Sequence, residues 1–210
     1  MRELLGDDEL RELLDPEVIV QLERELQMLT PERKARDVDG AHDLLRRLGA
    51  LTTEELRARC SVDLEPILAE LTAARRAVVM TLAGEARHVA VEDAALYRDA
   101  LGAVPPHGVP VAFLEPVERA LEMLVARHAR THGPFSADSV ARRYGLTRGA
   151  LVPVLRQLEA EHRVVRGTFG AEGDEWCDEE ILRRIKRRTL ARLRGEVEPV
   201  DRATLARFLP

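Results

Sequence analysis

The feature that most constrains this chain is a pattern that occurs twice. Gly49 matches Gly133, Leu51 matches Phe135, Thr52 matches Ser136 and Leu56 matches Val140, all 84 residues apart. Further on, Val78-Val79 matches Val164-Val165 at an offset of 86. A self-similar unit of this size is a duplicated module, not a short solenoid repeat. Both copies share one grammar. A first helix ends near the glycine. One apolar residue follows, then a Thr or Ser placed to cap a short helix over 53–60 or 137–144. In the second copy Gly145 breaks that helix and Thr147 caps the next one. The third helix is expected over 63–74 and 148–161. A β-rich run comes next: "AVVMTLAGEARHVAV", with Ala83-Gly84 at its tip, and "RVVRGTFGAEGDEWC", with a glycine-flanked tip. A closing helix begins at Glu92 or Asp178. Three helices followed by a two-stranded hairpin make the winged-helix elaboration of helix-turn-helix. The expected fold class is therefore mainly α with small β-hairpins, as tandem winged-helix modules.

The remaining sequence divides around those copies. Residues 1–36 read as a helical lead-in, 37–115 as module 1, 116–196 as module 2, and 197–210 as a lead-out to a following module. In the lead-in, Leu4, Leu5, Leu10, Leu13 and Leu14 recur at helical spacing. Asp15-Pro16 looks like an N-cap with Pro at the first helical position, starting a helix through Leu29. "GAVPPHGVP" joins the modules as a linker or shaped loop. Aromatic residues are only 3% of the chain, so aliphatic side chains must build the core. No apolar run approaches membrane-helix length and the N-terminus is not a signal peptide, so the expected location is cytoplasmic. Cys60 and Cys177 read as reduced thiols.

A net charge of −5 argues at first against nucleic acid, but its distribution matters more than its total. Residues 1–36 carry 6 basic and 10 acidic side chains and residues 37–115 carry 8 and 13, whereas residues 116–210 carry 18 and 14. Phosphate affinity is therefore expected in the C-terminal half. There the third helix of module 2 is the sharpest candidate. Thr147 caps it, leaving amides that can meet a phosphate. Arg148 lies in its first turn and Arg156 two turns on, while Arg142 and Arg143 end the preceding helix. Arg163 and Arg166 stand at the root of the wing. For any one of these arginines a solvated surface is the ordinary fate; the cluster in this fold position favours nucleic-acid contact. The run "RRIKRRTLARLR" adds Lys186, Arg187 and Arg188 as backbone contacts, although an amphipathic helix with Ile181, Leu182, Ile185, Thr189 and Leu193 buried explains most of it.

Other residues read more plainly. The third helix of module 1 carries Asp63, Glu65 and Glu70, which face phosphates badly; only Arg75, Arg76 and Arg87 around its wing help. Trp176 is expected to pack against the closing helix rather than stack on a base. His128 and His132 share a helix face but lack a third ligand, so no metal is expected. Ser61 and Ser136 read as caps, and no nucleophile–base arrangement is legible.

Four strings, "RELLDPEVIVQLERELQ", "DLLRRLGALTTEELRARC", "ARTHGPFSADSVARRYGL" and "EWCDEEILRRIKRRTLARLRGEVEPVDRATLARFLP", resemble large helicase-related (Lhr) proteins, in matching order and over nearly the whole chain. These are bacterial superfamily 2 ATP-dependent DNA helicases. The resemblance implies a fragment from the start of the family's C-terminal tandem winged-helix region, in a parent protein whose preceding motor domains use ATP and Mg and act in DNA repair. No G-x-x-x-x-G-K-[ST] phosphate loop is present, so this stretch is expected to be non-catalytic and cofactor-free. Some family members carry a glycosylase activity that uses a Gln-x-Gln-like motif; Gln21, Gln27 and Gln157 form none. The expected partner is DNA, single- or double-stranded, and not a membrane. A protein–protein or self-association scaffold with little DNA binding is the alternative, and a homo-oligomer through the C-terminal region stays open.

Overall fold

The computed structural model describes residues 14–169 and 173–196. Leu4, Leu5, Leu10 and Leu13, the expected lead-out over 197–210 and the centre of the second wing tip lie outside those residues. Helix α1, Pro16–Leu26, begins where the Asp15 carboxylate accepts the amides of Glu17 and Val18. The first module then runs α2 (Val38–Leu48), α3 (Thr53–Arg59), α4 (Leu64–Ala73), β1 (Ala77–Leu82), β2 (Glu85–Ala90) and α5 (Ala94–Leu101). The second runs α6 (Ala120–Thr131), α7 (Ala137–Tyr144), α8 (Arg148–Ala160), β3 (Val164–Gly167), β4 (Glu175–Asp178) and α9 (Glu179–Glu196).

The repeated sequence grammar becomes repeated local chemistry. Thr52 caps α3 through the Glu55 amide, and the Glu55 carboxylate returns to the Thr52 amide, closing a capping box. Ser136 caps α7 through the Ser139 amide, and Thr147 caps α8 through the Ala150 amide. Gly145 ends α7 at φ +67°, a left-handed conformation that glycine adopts without strain. Both hairpins are antiparallel. Each is widened by one bridging residue: Leu51 exchanges backbone hydrogen bonds with His88, and Phe135 with Trp176. Helix, bridge, helix, helix, strand, wing, strand is the winged-helix order, and the chain contains it twice.

Packing between these units departs from what spacing suggests. One buried cluster takes Met80, Leu82, Val89 and Tyr97 from the first module and Leu124, Val140, Tyr144, Leu151, Leu155 and Trp176 from the second. The modules therefore share a core instead of hanging from a linker. Trp176 belongs to that shared cluster and not to the closing-helix interface; its neighbour Cys177 packs toward α9 instead. Helix α1 lies on α9: Leu14, Val18, Leu22 and Leu26 form one cluster with Ile181, Leu182 and Ile185. The Asp15 amide donates to Thr189 Oγ1 at 3.2 Å, so the start of α1 sits opposite Thr189. Past that point Leu193 is 44% exposed, against the buried stripe that its spacing predicts. Ser61 caps no helix; its hydroxyl donates to the Ala35 carbonyl.

Gly49 shows how tightly the seam is built. It ends α2 at φ +86° and ψ −152°, a region almost confined to glycine. A Cβ there would lie 2.5 Å from the Tyr97 hydroxyl, which accepts the Ala50 amide at 2.6 Å. Gly49→Ala is therefore expected to destabilise the chain by about 3 kcal/mol, from backbone strain plus displacement of Tyr97. Chemical denaturation checks this; a change below about 1 kcal/mol would mean that the seam is soft.

Candidate nucleic-acid interface

Helix α8 is anchored by Leu151, Leu155 and Leu158, all fully buried. Their i, i+4, i+7 spacing fixes which face looks outward. Thr147, Arg148, Gly149, Ala150, Pro153, Arg156 and Gln157 are exposed along that face. Pro153 has no amide, so the Gly149 carbonyl has no i+4 donor inside the helix. The outer surface of α8 is thus a row of small residues and cations beginning at a capped N-terminus.

The tip of the first wing meets this helix at its root. A Cβ on Gly145 would come within 3.2 Å of the Ala83 Cβ, so Ala83 already rests on the turn between α7 and α8. The wing of module 1 is thus a buttress for the α7–α8 turn of module 2.

The candidate cations fall into three groups. Arg142, Arg156 and Arg187 are exposed and Lys186 is half-buried; among the described residues none of these four has a hydrogen-bond or ion-pair partner. Others are paired at the surface. Arg148 meets Asp138 at 2.9 Å, with both side chains half exposed. Arg166 holds Asp174 by two hydrogen bonds of 2.6 and 2.8 Å and lies 5.9 Å over the Trp176 ring. That grip keeps the Asp174 carboxyl below its usual range. Arg163 reaches Glu122 at 3.3 Å and Glu161 at 3.5 Å. Surface pairs of this kind are screened by water and contribute little, so a phosphate can exchange for the carboxylate.

A third group is committed to structure. Arg143 donates to Glu55 at 2.8 Å and to the Ala50 carbonyl at 3.0 Å, across the module seam. Burial alone would raise the Glu55 carboxyl, but the Arg143 hydrogen bond and charge bring it below its ordinary value. Arg188 grips Glu25 of α1 at 2.7 and 2.9 Å. Around the first wing only Arg75 is fully available. Arg76 binds Asp39 at 2.6 Å. Arg87, counted from sequence among the wing's helpful cations, is 5% exposed; it donates to Glu85, while its Nε and Nη1 have no partner. The outward side of α4 keeps Glu65 and Glu70, with Asp63 just before them, all exposed.

The seam was invisible in the sequence. Asp93 accepts two hydrogen bonds from Arg127, Nη1 at 2.5 Å and Nη2 at 3.0 Å. Below it lies a polar junction of three helices. Gln27 donates to the Thr131 carbonyl and accepts from Arg59 Nη2, both at 2.6 Å, and Glu23 accepts the Gly133 amide. His128 and His132 stack here with centroids 3.6 Å apart. Burial, and then His132 and Arg143, push His128 well below its usual value; burial chiefly brings His132 to about 4. Both rings are neutral packing elements. No group of three His, Cys, Asp or Glu side chains able to hold a metal occurs among the described residues.

A family model described as "Large helicase-related protein, winged-helix domain" matches residues 12–116. The chain is 46% identical over 213 aligned residues to an "Lhr helicase/ probable uracil glycosylase" of Mycolicibacterium smegmatis. It is 36% identical over 212 to an "Lhr helicase/uracil glycosylase" of Escherichia coli. Each alignment covers 100% of this chain and 14% of the relative. No helix among the described residues is long and apolar enough to cross a membrane.

Proposed function

Because the chain belongs to the large helicase-related family, we propose that it is a non-catalytic DNA-binding region of an ATP-dependent helicase, with α8 as its reading helix. One observation carries this: α8 alone among the two third helices turns a capped N-terminus and exposed cations to solvent, while α4 turns carboxylates. Arg142, Arg148 and Arg156 would meet phosphates, with Arg163 and Arg166 at the wing. Arg143 belongs to the seam in this reading and acts on DNA only by holding α7. The ATP and Mg chemistry of the helicase lies outside these residues. The pairing of helicase with uracil glycosylase in both relatives' names supports a setting in DNA repair.

A fluorescence-anisotropy titration with labelled DNA tests the proposal. The charge reversal Arg148→Glu with Arg156→Glu is expected to weaken binding at least about tenfold and to flatten its salt dependence. Arg75→Glu with Arg76→Glu is expected to change it little. Equal losses would place the site in the wrong module, and no binding at low salt would sink the reading. The acidic face of α4 supports a second reading, in which module 1 is a scaffold for a protein partner. Light scattering that shows an oligomer, with no DNA shift, would favour it.

A further inference from the structure

A second set of cations converges where the two first helices of the modules end. Arg46 and Arg47 come from the last turn of α2 and Arg130 from the last turn of α6. With Arg127 and Thr131 they line a cleft of about 380 Å³. Arg46 and Arg47 also line a neighbouring, wider cleft of about 690 Å³, walled by Arg33, Lys34 and Arg36 of the connection after α1. We propose that this double cleft is a second nucleic-acid site, one that grips the phosphodiester backbone of a DNA strand by charge, without reading bases. It rests on the nucleic-acid reading above but uses none of the residues of the α8 face.

Helix C-termini attract cations, so one arginine at each end needs no ligand to explain it. What exceeds that explanation is the imbalance. Arg127 is satisfied by Asp93, Arg46 by Glu92 at 2.9 Å, and Arg33 is within 3.7 Å of Glu25. Lys34, Arg36, Arg47 and Arg130 have no hydrogen-bond or ion-pair partner among the described residues. Only two carboxylates line the walls: Asp37, engaged in capping α2 at Gly40, and Asp43. The α8 face, by contrast, pairs Arg148, Arg163 and Arg166 with acids. Like charges drawn this close repel, and a ligand that is anionic along its length relieves them.

Two further points select a nucleic-acid backbone. No aromatic side chain lines either cleft, so bases have nothing to stack on and phosphates are what remain to be held. Guanidinium forks suit phosphate oxygens in pairs. The cationic track also continues beyond the cleft. Burial, then the charge of Arg188, lower the Arg184 guanidinium of α9; Glu25 opposes them, and Arg33 and Arg187 add to the lowering, so Arg33 lies in the same field as the α9 cations, on the far side of the Glu25 that it shares with Arg188.

The test uses the full chain and a labelled oligo-dT of about 20 nucleotides, titrated from low to moderate salt. Arg47→Glu with Arg130→Glu is expected to weaken binding at least about tenfold and to reduce the log–log salt slope by about 1.4, two phosphates at roughly 0.7 each. Arg47→Lys with Arg130→Lys, which keeps the charge, is expected to retain most of the affinity. A mixed-sequence strand should behave like oligo-dT. Wild-type affinity and slope in the charge-reversed variant would overturn the proposal, as would poly-glutamate competing as well as oligo-dT at equal charge. If the α8 reversal weakens binding and the cleft reversal does not, this inference fails and the α8 reading stands; the opposite result removes the α8 reading and keeps the cleft.

Discussion

Asp93→Ala is expected to destabilise the chain by about 3–5 kcal/mol, the cost of leaving a buried charge without its partner. Asp93 sits in the 3-10 turn before α5 and holds Arg127 of α6 by two hydrogen bonds. Burial by itself lowers the Arg127 guanidinium, but the hydrogen bond and charge of Asp93 raise it above its usual value. Without Asp93 that burial loses its main opponent, in a seam that Arg127 shares with Tyr97 and Tyr144. At about 2–4 °C per kcal/mol for a chain of this size, the melting point should fall by roughly 10 °C. Asp93→Ala combined with Arg127→Met removes both charges and is expected to be more stable than Asp93→Ala alone. Because one cluster runs through both modules, the wild-type chain should melt in a single transition. A loss under about 1 kcal/mol, or two separate transitions, would show that the modules do not share a core.

The elements were legible in the sequence because their causes are local. Thr52 with Glu55, Ser136 with Ser139 and Thr147 with Ala150 lie three residues apart, and Gly145 acts through its own backbone. The interfaces were not legible, because each joins residues that nothing local connects. Tyr97 meets Ala50 across 47 positions, Arg143 meets Glu55 across 88 and Asp15 meets Thr189 across 174. This is why Leu193 looked buried and Arg87 looked free: spacing reports which face of an element is apolar, not which neighbour covers it.

Charge summed along the sequence likewise says nothing of which segments meet. Residues 1–36 and 37–115 are each net acidic and pointed away from phosphate. Folding nevertheless brings Arg33 and Arg36 from the first segment beside Arg46 and Arg47 from the second and Arg130 from the third. Their acids are spent elsewhere: Asp37 caps α2, Glu55 is in the seam and Glu70 lies on α4. The candidate set on α8 was assembled from adjacent positions and was found by reading along the chain. The cleft is a property of the tertiary packing and needed coordinates.

Acid should loosen the junction of the three helices before it touches most surface pairs. The neutral His132 ring fits its hydrogen bonds in one tautomer. Nδ1–H donates to the His128 carbonyl at 2.9 Å, and Nε2 accepts from Gln27 Nε2 at 3.2 Å. Protonation would set an N–H of His132 against the Gln27 amide N–H, with Arg59 and Arg143 as like charges nearby. Burial chiefly brings His132 down to about 4 in the fold, against an ordinary value near 6.5. The unfolded chain therefore binds more protons between those limits, and stability is full above about pH 6.5 and falls as pH drops. By pH 5 the loss from His132 alone is about 2 kcal/mol. His128 and His88, both held low chiefly by burial, add in the same direction. Glu23 opposes them: burial raises its carboxyl, so it takes up a proton more readily in the fold. The net expectation is a melting point that falls steadily from about pH 7 to about pH 5, while Asp174 and Glu55, held below their ordinary range, stay ionised. His132→Gln keeps a hydrogen-bonding side chain that does not titrate and should flatten this dependence without abolishing it. Identical pH profiles for wild type and His132→Gln would mean that His132 is not the neutral, buried acceptor on which the junction depends.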